Sequence, residues 1–119
     1  MSIEEKVTIA RETAQKWLKL IDSFEYEASW TEAASYFQNS ITSKEWSRTL
    51  QSVRQPLGKM LSRELESSQY ATSLPGSPDG EYVVIQYNTS FKNKRSAIET
   101  VTPMLDRDSK WKVAGYFVK

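Results

Sequence analysis

A chain of 119 residues is long enough to fold as one domain around one hydrophobic core, and its 16 basic and 15 acidic residues nearly cancel. With this balance the protein has no strong positive potential that would attract nucleic acid or an anionic membrane, so neither is expected as a partner. The absence of histidine and cysteine excludes Ser-His and Cys-His nucleophiles and disulfides, and nearly excludes a conventional zinc site. No cofactor is implied.

The first predicted element is an amphipathic helix over residues 3–22. Ser2 and Glu5 have the spacing of a capping box, which marks the start of a helix. Apolar side chains then recur at intervals of three and four residues, at Ile3, Val7, Ala10, Ala14, Trp17, Leu18 and Ile21. The pattern predicts one buried side, and the charged opposite side indicates exposure to solvent.

Two further helices are predicted, over residues 25–38 and 43–57. In the first of these, large apolar side chains fall on one helical side. Thr42 and Glu45 repeat the capping-box spacing and open the next helix, whose last regular turn is lost at Pro56. The chain therefore starts with three helices.

Four strands are predicted after the helices, over residues 62–73, 81–91, 96–105 and 111–118. The last three are rich in β-branched and aromatic residues and are separated by short polar turns. A loop with two prolines and two glycines, residues 74–80, makes a long hairpin the simplest connection between the first two. Helices followed by a strand meander predict an α+β fold in which a curved antiparallel sheet packs on the helices.

The two turns are expected to place Lys92 opposite Arg95 and Arg107 opposite Lys110. This strand register puts Tyr87 opposite Thr100 and Thr102 opposite Gly115. One sheet face is then the better core candidate, with Val83, Ile85, Tyr87, Phe91, Ile98, Thr100, Thr102, Met104, Trp111, Val113 and Phe117. The other face is mixed but more apolar than a solvated face needs to be, with Tyr82, Val84, Gln86, Asn88, Glu99, Val101, Leu105, Lys112, Tyr116 and Val118. A slip of one residue would exchange the two assignments.

Motifs spread along the chain resemble those of one family. The most specific are Leu74-Pro75-Gly76, Pro78-Asp79-Gly80 and Gly115-Tyr116-Phe117, in this order, accompanied by Trp17-Leu18, Ser29-Trp30 and Pro56-Leu57-Gly58. The chain resembles the bacterial domain-of-unknown-function family 4019, placed with the cystatin-like and nuclear transport factor 2-like superfamily of cone-shaped folds. The resemblance implies three helices on a curved four-stranded antiparallel sheet, and it supplies no catalytic residue.

The resemblance leaves the compartment open between two alternatives. Members of the family commonly look exported, with an N-terminal leader, whereas this sequence starts at its first helix. If a leader has been removed, the protein is periplasmic or secreted. As written, the chain is expected to be soluble and cytoplasmic.

A pocket between the sheet and the helices is one candidate site, since folds of this superfamily often hold one. Trp46 and Tyr87 would line it, with Arg54 or Arg63 at the rim to favour a ligand that carries a carboxylate. The alternative is that both aromatic rings belong to the core and both arginines reach solvent. Glu99 is likewise either an acid or base among apolar neighbours, or a carboxylate hydrogen-bonded to its own face.

The sequence leaves enzymatic activity open and favours a non-enzymatic binding or interaction module that forms a homodimer through its mixed sheet face. Four residues of that face would form the interface, namely Tyr82, Val84, Val101 and Tyr116. The alternative function is a small-molecule pocket under the sheet, lined by Trp46, Arg54 and Tyr87, and this alternative includes a weak hydrolase- or isomerase-type enzyme. The partner is then an unidentified small ligand or protein.

Overall fold

The structure is a computed structural model that describes all 119 residues, and it has the predicted α+β class. Four α-helices and a short 3-10 helix precede one four-stranded sheet. The helices are α1 (Ile3–Asp22), α2 (Tyr26–Thr31), α3 (Ser35–Ser40) and α4 (Ser43–Val53), and the 3-10 helix is Gln55–Leu57. The strands are β1 (Met60–Ala71), β2 (Tyr82–Phe91), β3 (Lys94–Leu105) and β4 (Trp111–Val118). No helix combines the length and the low polarity that crossing a membrane requires.

Both predicted capping boxes are present. The Ser2 and Thr42 side chains each accept the backbone N–H of the glutamate three residues on, and Glu5 and Glu45 each accept the N–H of the cap residue. Reciprocal capping satisfies N–H groups that otherwise have no partner in the first turn. This is why α1 and α4 begin where the sequence predicts.

The second predicted helix, residues 25–38, is wrong because the structure divides it into α2 and α3. Ala34 adopts an extended conformation, and its N–H donates to the carbonyl of Val113 on β4 at 2.8 Å. This hydrogen bond to a distant strand replaces the one that a continuous helix would make. The third predicted helix also ends early, at Val53, and Pro56 lies in the separate 3-10 turn.

The sheet is an antiparallel meander in which the four strands lie in sequence order. β1 starts and ends two residues earlier than predicted, since the hairpin loop to β2 opens after Ala71. Neighbouring strands are therefore also neighbours along the chain, with no crossover connection.

The predicted pairing of β2 with β3 is wrong by one residue, because Tyr87 lies opposite Glu99 rather than Thr100. A two-residue turn puts Phe91 opposite Lys94, and one extra residue in β3 is then accommodated before the ladder becomes regular. The shift moves Ile98, Thr100, Thr102 and Met104 away from the side that was predicted to be the core. Glu99 and Val101 face the core instead.

The pairing of β3 with β4 confirms Thr102 opposite Gly115, although the residues nearer the turn are shifted by one. Pro103 pairs with Val113, so Ala114 is an extra residue in β4. Tyr116 faces the core because its partner Val101 does, while Phe117, which lies opposite Thr100 and was predicted to be buried, is 58% exposed. The bulge returns Trp111 and Val113 to the core side, where they were predicted.

The core lies between α1 and one face of the sheet, here called the inner face. Its residues include Val83, Ile85, Tyr87, Thr89, Phe91, Glu99, Val101, Trp111, Val113 and Tyr116. The opposite side is the outer face, with Val84, Gln86, Asn88, Ile98, Thr100, Thr102, Gly115 and Phe117. Ala10, Ala14, Trp17, Leu18 and Ile21 of α1 are buried, as the helical periodicity predicts, whereas Ile3 is exposed.

Candidate functional site

Four charged side chains meet inside the protein where the end of α1 approaches the inner face. Arg63 on β1 lies at the centre and donates to Glu99 on β3 through Nε at 2.7 Å and through a terminal nitrogen at 3.1 Å. Its terminal nitrogens also donate to both carboxylate oxygens of Asp22, the last residue of α1, at 2.8 and 2.9 Å. One guanidinium thus joins a helix to two strands that are not neighbours in the sheet.

Arg54 is the fourth member of this ion network and is completely buried. It donates to Asp22 at 3.2 Å and to the carbonyl of Gly58 at 2.7 Å. Its guanidinium carbon lies 4.5 Å from the ring centroid of Phe91 and 5.8 Å from that of Phe24. The flat cation therefore sits against two aromatic rings, a contact that is more favourable when desolvated, while its Nε has no partner.

The Glu99 carboxylate has all its acceptor positions occupied. Besides the two bonds from Arg63, it accepts the hydroxyl of Thr89 on β2 at 2.6 Å and a short hydrogen bond from Tyr116 on β4. Two carboxylate oxygens offer about four lone-pair sites, and four donors fill them. Of the two interpretations of Glu99, the structure shows the hydrogen-bonded carboxylate, because no site is left to take a proton from a substrate.

The network holds its neighbours in fixed protonation states. Burial lowers the pKa of Arg63, but the hydrogen bonds that it donates to Asp22 and Glu99, together with the charges of these carboxylates, outweigh burial and raise it above its ordinary value. Burial also raises the pKa of Tyr116 far above its ordinary value, and the adjacent Glu99 charge adds to this. Arg63 is thus a permanent cation and Tyr116 a permanent donor at neutral pH.

The three residues predicted to line a pocket all lie in the interior. Trp46, Arg54 and Tyr87 are 5%, 0% and 4% exposed. Trp46 packs edge-on against Phe37 and lies 6.3 Å from the ring of Trp17, and its indole N–H donates to the Ser29 hydroxyl at 3.0 Å. Five surface depressions of about 280 to 640 Å³ are lined by other residues.

The four residues predicted as an interface do not share one surface. Val101 is fully buried on the inner face, where Tyr116 also points. Tyr82 lies on the opposite side of the sheet, but the chain itself covers it, since Tyr82 packs with Ala34 and donates its hydroxyl to the carbonyl of Pro78. Only Val84 remains on the uncovered part of the outer face. The one-residue register shift between β2 and β3 separates the four, because it turns the pair Val101 and Tyr116 to the side opposite Tyr82 and Val84.

The uncovered part of the outer face carries apolar side chains that the sequence pattern assigns to the core. Ile98 is 40% exposed and Phe117 is 58% exposed. Thr100, which pairs with Phe117 across the ladder, is buried between its neighbours. Beside Phe117, Gly115 has open space where a side chain would stand, because an added Cβ would meet nothing within 4 Å. A protruding ring and a gap therefore lie two residues apart on one strand.

Comparison of the sequence with models of known protein families shows which family the chain belongs to. The model of the family described as a protein of unknown function, DUF4019, matches residues 13–116. The chain belongs to this family. The resemblance inferred from the LPG, PDG and GYF motifs is thereby confirmed, and no curated protein matches the chain. Membership of DUF4019 assigns no reaction to the protein, since the family is described as one of unknown function.

Sequence reasoning singled out Glu99 and Arg63 separately but missed their partners Asp22 and Thr89. The usable signal was a lone acidic residue within an apolar strand, which needs donors of its own when it is buried. No group of three or more acidic side chains is arranged to hold a metal ion. The network can fix elements relative to one another, and it offers no free acid, base or nucleophile.

Proposed function

We propose that this DUF4019 member is a non-enzymatic interaction module that associates with a second copy of itself through the outer face of its sheet. The observation that supports this most directly is the pair formed by Phe117 and Gly115, a protruding ring beside an open gap. Exposed apolar groups on a flat, uncovered sheet face are typical of an interaction surface. Ile98 on β3 extends the apolar surface next to Phe117, and Val84 lies on the same face two strands away, on β2.

A two-fold axis makes this surface complementary to itself. Closed dimers use the same patch on both subunits, so a projection must meet a recess within that patch. When two outer faces pack with their β4 strands antiparallel and the axis level with Tyr116, Phe117 of each copy lies over the partner's Gly115. Each ring then leaves water and fills a gap, which combines apolar burial with close packing.

The dimer proposal is tested by measuring mass against concentration with light scattering or sedimentation equilibrium. At roughly 100 μM the native protein is expected to reach twice the monomer mass. Gly115→Val fills the gap and Phe117→Ser removes the ring, so both variants are expected to remain monomeric. Gly115 does not need a positive φ, and valine suits a strand, so the fold tolerates the first change.

Leu65→Ser provides the matched control, because Leu65 is also an exposed apolar residue, 46% accessible, but lies opposite Tyr87 on β1 rather than on the outer face. This variant should dimerise like the native protein. A native protein that stays monomeric at several hundred micromolar, or a Gly115→Val variant with unchanged mass, would overturn the proposal.

A second candidate function is the binding of a small molecule with polar groups between the sheet and the helices. It is favoured by three buried polar atoms without a hydrogen-bond partner, the hydroxyls of Tyr26 and Tyr87 and the Nε of Arg54. Buried polar groups are usually satisfied, and ligand oxygens would supply the missing partners. Binding here requires the helices to move away from the sheet, because Arg54 and Tyr87 line none of the five surface depressions. Benzoate is a suitable probe, since it offers a carboxylate to Arg54 and a ring to the aromatic core.

The benzoate test is a thermal-shift titration of the native protein and of Tyr87→Phe. A saturable rise in melting temperature that Tyr87→Phe weakens would support the second function. The absence of a saturable rise up to about 10 mM benzoate would count against it.

A further inference from the structure

A shallow groove runs beside α1, on the side where the β3–β4 turn approaches the helix. Two adjoining depressions of about 430 and 460 Å³ form it, and they share Thr13, Lys110 and Trp111. The α1 residues along the groove extend from Lys6 to Leu20, which corresponds to roughly 20 Å at 1.5 Å per residue. The α1 groove is thus long and narrow rather than a closed cavity.

The floor of the α1 groove is apolar. Ile9 and Leu20 contribute from the helix, and Leu105 and Trp111 contribute from the two strands that flank the turn. Thr13 joins the two sides, since its hydroxyl lies 3.5 Å from the carbonyl of Trp111. A ligand lying here would therefore rest on side chains that the fold already holds in place, which limits the ordering cost of binding.

The rim of the α1 groove is basic, with two ammonium groups that have no partner. Four lysines line the groove against a single acidic residue, Glu32. Lys6 and Lys112 are engaged in salt bridges with Glu81 and with Asp106 and Asp108. The ammonium groups of Lys16 and Lys110 make no salt bridge and no hydrogen bond, although the backbone N–H of Lys110 donates to Asp108. A protein with a net charge of only +1 thus presents a local excess of positive charge beside apolar surface.

We propose that the α1 groove binds an extended acidic peptide segment of about six residues, in which apolar and acidic side chains alternate. An extended chain of this length spans roughly 20 Å and directs alternate side chains to opposite sides. The apolar set packs on Ile9, Leu105 and Trp111, and the acidic set reaches Lys16 and Lys110. A shallow open groove suits a peptide better than an acyl chain, since an acyl chain would stay half exposed to water.

The test uses fluorescein-labelled hexapeptides that alternate leucine with glutamate, serine or lysine, and follows fluorescence anisotropy on the full chain. The leucine–glutamate peptide is expected to bind saturably, and the affinity should fall as salt rises, since exposed charges are screened. Lys16→Glu combined with Lys110→Glu should weaken binding at least about tenfold. Lys16→Ala with Lys110→Ala should have a smaller effect of the same sign.

The matched control is Lys19→Glu combined with Lys92→Glu, which changes the net charge equally and alters the same helix and an equivalent turn. This control should bind like the native protein, and because the α1 groove is remote from Phe117, Phe117→Ser should bind normally as well. Equal weakening by the control would overturn the proposal. So would equal binding of the leucine–serine peptide, absence of saturation at about 1 mM, or binding to phosphatidylserine vesicles in place of the peptide.

Discussion

The inner and outer faces of the sheet carry opposite kinds of side chain at adjacent positions of one strand. Glu99 is charged and fully buried on the inner face, whereas its neighbour Ile98 is apolar and 40% exposed on the outer face. Hydrophobicity alone would reverse the two. The buried Glu99 carboxylate is tolerated because four donors replace the hydrogen bonds that water would make to it. The exposed Ile98 is explained if a second copy of the protein covers it. Whether a side chain can be buried therefore depends on the groups available to contact it, and not on its polarity alone.

The largest expected effect comes from removing the inner carboxylate. Glu99→Ala leaves Arg63 and Arg54 buried with only Asp22 to compensate them, so it should lower the free energy of unfolding by about 3–5 kcal/mol. Urea denaturation followed by circular dichroism measures this, and Glu99→Gln serves if the alanine variant does not fold. Ile98→Ala, one residue away on the outer face, should cost about 1 kcal/mol or less in dilute protein. Similar losses for the two variants would contradict the contrast between the faces.

An intermediate effect is expected at alkaline pH, because the pKa of Tyr116 is raised in the folded protein above that of the unfolded chain. The unfolded state loses this proton near pH 10 while the folded state keeps it. The free energy of unfolding therefore has its full value below pH 10 and falls as the pH rises above 10. The slope for one such group is about 1.4 kcal/mol per pH unit. Tyr116→Phe should reduce the loss of unfolding free energy between pH 9 and 11 by about 1.4 kcal/mol, as measured from urea denaturation at the two pH values. An unchanged slope would mean that neither burial nor Glu99 keeps the proton on Tyr116.

The smallest effect is expected from Tyr87→Phe, which deletes a buried hydroxyl that has no hydrogen-bond partner. Removing an unsatisfied group from the interior should leave stability unchanged or raise it by up to about 1 kcal/mol. Urea denaturation of the two proteins checks this directly. A loss above about 1 kcal/mol would indicate that the hydroxyl has a partner, such as a bound water or ligand, in solution.

Local chemistry was sufficient to predict much of the fold. Both capping boxes mark their helices, and the alternation in residues 82–91 marks β2 because each relevant interaction lies within a few residues. The break between α2 and α3 could not be predicted in this way. It depends on the hydrogen bond from Ala34 to Val113, which exists only after the strand has been placed.

The candidate sites were less predictable because a single extra residue in a strand exchanges the side chains that face the core with those that face outward. The extra residue in β3 and Ala114 in β4 each reverse the inward and outward sides, and no periodic pattern contains this information. The extra residue in β3 explains why Val101 and Tyr116 were assigned to an interface and Phe117 to the core. Glu99 was recognisable as exceptional, but its partners come from three other strands and, through Arg63, from α1.

The ion network also has a consequence for the order of folding. Each hairpin of the meander joins strands that follow one another, whereas the Arg63 side chain bridges Asp22 and Glu99 across 41 and 36 residues of chain. Closing such distances costs entropy that local hairpins avoid, so we expect the network to close after the rate-limiting step. In stopped-flow measurements, Glu99→Ala should then speed unfolding while changing the refolding rate little. The buried charges would in that case prolong the lifetime of the native state without guiding its formation.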